Sequence, residues 1–123
     1  MNAKQYNGWT NYETWVVKLW MDNDEGTYVH WREEARDVYE HAMAQGDQIG
    51  SAAYTLAECL KQDHEADSNH PVFKEARGSV YSDLLQAALD EVNWYEIATS
   101  LLDDVAEEMA HASTEGEQPD PRD

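Results

Sequence analysis

Positive charge is scarce in this chain. Eight Lys and Arg stand against 26 Asp and Glu, a formal net charge of −18. A surface so short of cations repels phosphate backbones and anionic lipid, which argues against direct nucleic-acid binding and membrane adsorption. Basic proteins are the partners it attracts. Cysteine is scarcer still: Cys59 stands alone, which rules out an intramolecular disulfide framework and a cysteine-rich zinc site and agrees with a reducing compartment. No apolar run approaches the roughly 20 residues of a membrane span. The N-terminus "MNAKQYNGW" has no apolar segment of the signal-peptide kind, so the expected location is the cytoplasm. The six glycines are isolated, and neither a Gly-rich phosphate loop nor a G-x-S-x-G elbow is present. The sequence therefore points to a protein that is not an enzyme, and it implies no cofactor.

What is present is helical periodicity. At 123 residues the chain has the length of one domain and can bury a core without staples. Apolar residues recur at three- and four-residue steps, the spacing of a single helix face. In a first helix the predicted inward set is Tyr12, Trp15, Val16, Leu19 and Trp20, ending in the turn formers of "MDNDEG". A second is predicted over 27–45 with Tyr28, Trp31, Ala35, Val38, Tyr39 and Ala42 inward, and Gly46 just beyond its end. A third covers 49–62, with Ile49, Ala53, Leu56, Ala57 and Leu60 inward. The polar stretch "QDHEADSNHP" then reads as the longest internal loop. A fourth helix is predicted over 72–89 with Phe73, Ala76, Val80, Leu84 and Ala87 inward. The last starts at Asn93 and carries Trp94, Ile97, Ala98, Leu101, Leu102, Val105 and Met109. The expectation is an all-α, compact bundle of about five helices over residues 1–111, followed by a disordered acidic tail over 112–123.

Two helix starts share a form. Thr10-Asn11-Tyr12-Glu13 fits the S/T-x-x-E capping box with Thr10 as cap, and Asn93-Trp94-Tyr95-Glu96 is a near relative. In both, an acid sits where the helix dipole favours it. Trp9 precedes the cap and is a candidate for a hydrophobic staple or an exposed contact, whereas Trp15 and Trp20 are expected in the core.

Other constellations have weaker spacing. Cys59, Asp63, His64, Glu65, Asp67 and His70 are metal-ligand types, but Cys-x4-His and His-x5-His are not usual ligand spacings. A metal-dependent enzyme centred on Asp63, His64, Asp67 and His70 is a further alternative, and no metal site is assigned. Glu108-x-x-His111 is half of a di-iron bundle motif that needs a second copy and two further glutamates; the only comparable pair, Asp37 and His41, has a four-residue step. Cys59, with no adjacent cation, reads as a small apolar filler. Arg32 and Arg36 alternate with Glu33, Glu34, Asp37 and Glu40, which predicts a solvated ion-pair face.

The acids themselves carry the functional expectation. Residues 112–123 hold four acids and one arginine, so −15 of the charge belongs to residues 1–111. Asp22, Asp24 and Glu25 form one cluster, and Asp63, Glu65 and Asp67 another. Glu33, Glu34, Asp37 and Glu40 line the second helix, and Asp103, Asp104, Glu107 and Glu108 the last. Carboxylates on adjacent positions of a helix face lie about 5–6 Å apart, close to the phosphate spacing of one nucleic-acid strand. The leading expectation is a DNA-like negative surface that binds a basic nucleic-acid-binding protein, with those eight acids and Trp9 as partner-binding residues. The alternative is a protein–protein interaction or assembly module, a homodimer included, that uses the aromatic N-terminus. In that reading the acidity reflects adaptation to a salty host.

The segment "NGWTNYETWVVKLWMDND", residues 7–24, resembles the N-terminal signature W-x-N-Y-E-T-W of a family of small, mostly uncharacterised phage- and plasmid-associated proteins. Trp9, Asn11, Tyr12, Glu13, Thr14, Trp15 and Trp20 match it. The resemblance implies an accessory gene of a mobile element, a context in which inhibitors of restriction or CRISPR systems are common. The partner it suggests is a basic protein of a host defence system.

Overall fold

The computed structural model describes residues 6–65 and 79–117 of the chain, with side chains over 6–64 and 79–111. Five helices occupy them: α1 (Tyr12–Asn23), α2 (Glu25–Ala44), α3 (Ile49–Glu65), α4 (Val80–Asp90) and α5 (Trp94–Glu117). Among the described residues there is no strand, and the architecture is the expected all-α bundle. No described helix is long and apolar enough to cross a membrane.

The core is built on α5. Trp94, Ile97, Ala98, Leu101, Leu102 and Val105 are all buried on one face, as their spacing predicts. Full burial of each large aliphatic side chain is worth about 1.5–3 kcal/mol, so this helix is the backbone of stability. α3 lies against it through Ala52, Ala53, Leu56, Ala57 and Leu60. α2 packs on both through Trp31, Ala35 and Ala42, while α1 rests on α2 and α5. α4 touches α3 more lightly.

Several boundaries and faces differ from the sequence expectation. α2 begins at Glu25 because Asp24, not a later residue, caps it: the Asp24 carboxylate accepts the Thr27 N–H at 3.0 Å. α3 continues to Glu65, so the start of the polar stretch is helical. The part of the predicted loop and fourth helix that includes Asp67, His70, Pro71, Phe73 and Ala76 lies outside the described residues. Within α4, Val80, Leu84 and Ala87 are exposed, and Leu85 and Leu89 turn inward instead. Ile49 and Tyr28 are likewise exposed, each within the first turn of its helix. Cys59 is exposed on α3 and fills no core space. The α5 backbone is helical past His111 to Glu117, and residues 118–123 lie outside the described residues.

The largest departure is α1. Its inward residues are Thr14, Lys18 and Met21, joined by Val17. The apolar stripe predicted to be buried faces away: Tyr12 is 51% exposed and Trp20 70%, with Leu19 also on the exposed side. Trp15 and Val16 are half-buried. The helix is rotated by about half a turn from the orientation its apolar residues favour.

Candidate partner-binding surface

The rotation of α1 is set at its first turn. Asn11, not Thr10, is the cap: its side-chain oxygen accepts the Thr14 N–H at 2.9 Å and the Thr14 hydroxyl at 2.6 Å. Thr14 Oγ1 in turn accepts the N–H of Asn93 at 2.9 Å. Asn93 caps α5 by accepting the Glu96 N–H at 3.0 Å. Two further bonds tie the same ends together. Asn11 Nδ2 donates to the Glu91 carbonyl at 2.7 Å, and the Thr10 N–H donates to Glu96 Oε1 at 3.1 Å. The two capped starts thus form one reciprocal clasp. Thr14 is fully buried within it, which forces the Thr14–Lys18–Met21 face inward and leaves the aromatic stripe outside. Of the expected capping box, the acid of the first turn remains while Thr10 is diverted to Glu96. Glu96 reaches across to the N-terminal segment.

Upstream, Asn7 and Gly8 take positive φ of 47° and 90°. This is the two-residue turn that an Asn-Gly pair favours. It closes Tyr6 on Trp9 through mutual backbone bonds of 2.9 and 2.7 Å. The turn does two things. It presses Trp9, half-buried, against the hydrophobic core. It also brings the Tyr6 ring onto the rings of Tyr12 and Trp15, with centroids 5.1 and 5.0 Å away, while Tyr12 and Trp15 lie 5.7 Å apart. Tyr6 stands outside every apolar stripe of the sequence and carries no periodic signal of its own. The Asn7-Gly8 pair was the available signal.

Beside Trp9 lies an open groove of about 610 Å³ whose walls include Trp9, Thr10, Tyr95, Glu96, Thr99, Asp103 and Asp104. Three of the expected partner-binding residues, Trp9, Asp103 and Asp104, are therefore brought together. Thr99 keeps its hydroxyl oxygen out of solvent and without a hydrogen-bond partner among the described residues. Elsewhere the acids divide. Glu33, Asp37 and Glu40 on α2 and Asp103, Asp104 and Glu107 on α5 are exposed, whereas Glu34 is half-buried. Glu108 accepts hydrogen bonds from both Arg32 and Arg36. The expected ion-pair face within α2 is thereby corrected: its two arginines turn to α5 and couple the helices. Arg32 also donates to the Tyr28 hydroxyl at 2.9 Å and lies over that ring. The exposed acids of α2 and α5 consequently ride on two helices clamped to each other, with the clamping cations held at the seam.

Asp24 has a depressed carboxyl pKa. The backbone N–H of Thr27 is the first cause, followed by the Thr27 hydroxyl, and both favour the ionised form. Lys18, the only cation of α1, is mostly buried and bonds both carboxylate oxygens of Asp22 at 2.8 and 2.7 Å.

The residues considered for a metal are dispersed. Nδ1 of His64 lies 2.8 Å from the Leu60 carbonyl; since a carbonyl only accepts, Nδ1 carries the proton. Its ring is set between Trp31 and Trp94, with centroids 6.0 and 5.0 Å away. Asp67 and His70 lie outside the described residues, and among those described no three His, Cys, Asp or Glu converge on a metal position. Glu108 of the Glu-x-x-His pair is engaged by arginine.

Residues 2–58 match a protein family described only as a family of unknown function, DUF7249. The match spans the Asn-Gly turn, α1, α2 and the first part of α3, and so covers one half of the clasp but not α5. No curated protein and no solved structure matches the chain.

Proposed function

We propose that this protein is a small acidic binding protein that docks on the cationic, nucleic-acid-binding surface of a DNA-handling partner and blocks it. The observation that carries this reading is the groove in which Trp9 and Tyr95 stand beside Asp103 and Asp104. Carboxylates attract lysine and arginine side chains, and an aromatic face alongside adds cation–π attraction of about 0.5–2 kcal/mol for each well-placed cation. The exposed acids of α2 and α5 extend the same sign of charge beyond the groove. With Arg32 and Arg36 committed to Glu108, the nearest cations of α2 are held in that seam. The anti-defence role implied by the family resemblance is the narrower form of this proposal, with a restriction or CRISPR component as the blocked partner.

The test is binding of dodecalysine at low and high salt, by the wild type and by the double variant D103K/D104K. The reading expects binding that weakens steeply with salt, because exposed charge pairs are screened, and a loss of about tenfold or more in the variant. Dodecalysine binding that is unchanged at high salt, or unchanged in the variant, would overturn it. Capture of partners from a host lysate at the two salt levels then identifies the protein blocked.

A further inference from the structure

The outward face of α1 is the feature the acidic groove does not use. On a helix, successive residues step by about 100°, which puts Tyr12, Trp15, Val16, Leu19 and Trp20 on one side, opposite buried Thr14 and Met21. Most of these side chains could have been buried by rotating the helix, yet the clasp at Thr14 holds them out. Trp20, at 70% exposure, is the most exposed tryptophan of the described residues, and it overhangs an apolar groove of about 450 Å³ that also contains Val16, Val17, Met21 and His64. Tyr6 packs on the Tyr12–Trp15 end of the stripe, but Tyr12, Leu19 and Trp20 stay exposed; leaving them in water is unfavourable, and contiguous apolar patches of this kind mark contact surfaces.

The border of the patch indicates what covers it. Glu13 and Asp22 fall on the two edges of the face by the same helical spacing, and Asp24 and Glu25 follow at its C-terminal end. Asp24 is held ionised by Thr27. The one cation of α1, Lys18, is turned inward and bonded to Asp22. The result is an aromatic stripe bordered by the carboxylates of Glu13, Asp24 and Glu25, with the charge of Asp22 balanced by Lys18 and no free cation on the helix. A second copy would bring like charges together on a molecule of net charge −18, an arrangement that costs affinity. A segment with apolar residues on one face and Lys or Arg on its flanks satisfies both the stripe and its rim.

We infer that the outward face of α1 is a docking surface for a cationic amphipathic helix of the partner, with Tyr12 and Trp20 as its anchors. This rests on the reading of the protein as a binder of basic partners and adds where the specificity resides. Acidic residues on α2 and α5 supply long-range attraction, and the α1 stripe supplies salt-resistant contact. Recognition of this type reads apolar anchors at three- and four-residue spacing on the incoming helix, and large aromatic residues contribute most of the energy at such contacts.

The experiment uses two peptides of equal lysine count, one an amphipathic leucine–lysine helix and the other an oligolysine. Binding to the full chain is measured by calorimetry at low and high salt. Expected is at least about tenfold tighter binding of the amphipathic peptide, persisting at high salt. The double variant Y12S/W20S should lose that excess and bind oligolysine as the wild type does; L19E should lose it too, and circular dichroism checks that each remains helical. Equal binding of the two peptides, or an excess that survives both variants, would overturn the inference while leaving the acidic-groove reading intact, provided D103K/D104K still weakens oligolysine binding. Failure of both peptides to bind would overturn both. Wild-type self-association in sedimentation that Y12S/W20S abolishes would assign the face to a second copy and overturn the cationic helix.

Discussion

α1 and α5 begin alike and end up facing opposite ways. Each is capped by an asparagine, Asn11 and Asn93, that accepts the N–H three residues on, and each has two aromatic residues within its first four positions. In α5 the apolar stripe is the centre of the core, whereas in α1 it is turned to solvent. The difference arises from one buried hydroxyl. Thr14 bridges the two caps, and a side chain that donates to Asn11 while accepting from Asn93 must point at α5. Hydrogen-bond satisfaction at the clasp has outweighed the pull of the apolar residues. The contrast teaches that an amphipathic period locates a contact face without saying whether the fold or a partner occupies it.

The largest way to sharpen this contrast is by truncation in each helix. Leu102→Ala, at a fully buried site on α5, should cost about 2–5 kcal/mol by chemical denaturation. Leu19→Ala on α1 should stay within about 0.5 kcal/mol of the wild type. If the two costs were equal, the outward assignment of α1 would be lost. The clasp comes next. Thr14→Val removes the acceptor of a part-buried Asn93 N–H and should cost about 1–3 kcal/mol, while Thr14→Ser, which keeps the hydroxyl, should recover most of it.

Lys18→Met has a smaller expected effect. The Lys18 side chain is only 10% exposed but that of its partner Asp22 is 41% exposed, so burial cost and charge attraction nearly offset. The change in stability should lie within about 1 kcal/mol of zero, with either sign. Acid titration gives the finest comparison. The Asp24 carboxyl is lowered in the folded state, so the stability it contributes is present above its unfolded value and lost as pH falls through the folded one. Asp24→Asn keeps a capping oxygen but does not titrate, and it should flatten that part of the acid limb measured by thermal denaturation at stepped pH. An acid limb identical to that of the wild type would contradict the cap's role.

The parts of the fold legible in the sequence are those where one apolar face had one destination. The α5 set from Trp94 to Val105 and the α3 set from Ala53 to Leu60 fall into this class, since each helix has neighbours enough to cover its stripe. α1 had two periodic faces. Tyr12–Leu19 is the more apolar, but Thr14–Lys18–Met21 has the same spacing, and only the long-range bond from Asn93 selects between them. Thr10 and Asn11 are both good caps, so the residue through which the start of α1 is tied to α5 was open as well. Of the site, Asp103 and Asp104 were legible as surface acids and Trp9 as something other than an ordinary core residue. Their meeting in one groove depends on the Asn7-Gly8 turn and on the α1–α5 clasp, contacts between positions some 80 residues apart, and no local pattern encodes them. Glu108 shows the reverse case: it reads as one acid among four until the arginines of α2 are seen to converge on it.

The fold holds the aromatic stripe of α1 outside the core, and the proposed cationic helix would cover it. Hydroxyl-radical footprinting of the full chain, alone and saturated with the amphipathic leucine–lysine peptide, tests it most directly. Expected are fast oxidation of Trp20 and Tyr12 in the free protein, slow oxidation of buried Trp31 and Trp94, and protection of Trp20 and Tyr12 when the peptide is bound. Slow oxidation of Trp20 in the free protein, or an oxidation rate unchanged at saturating peptide, would contradict it.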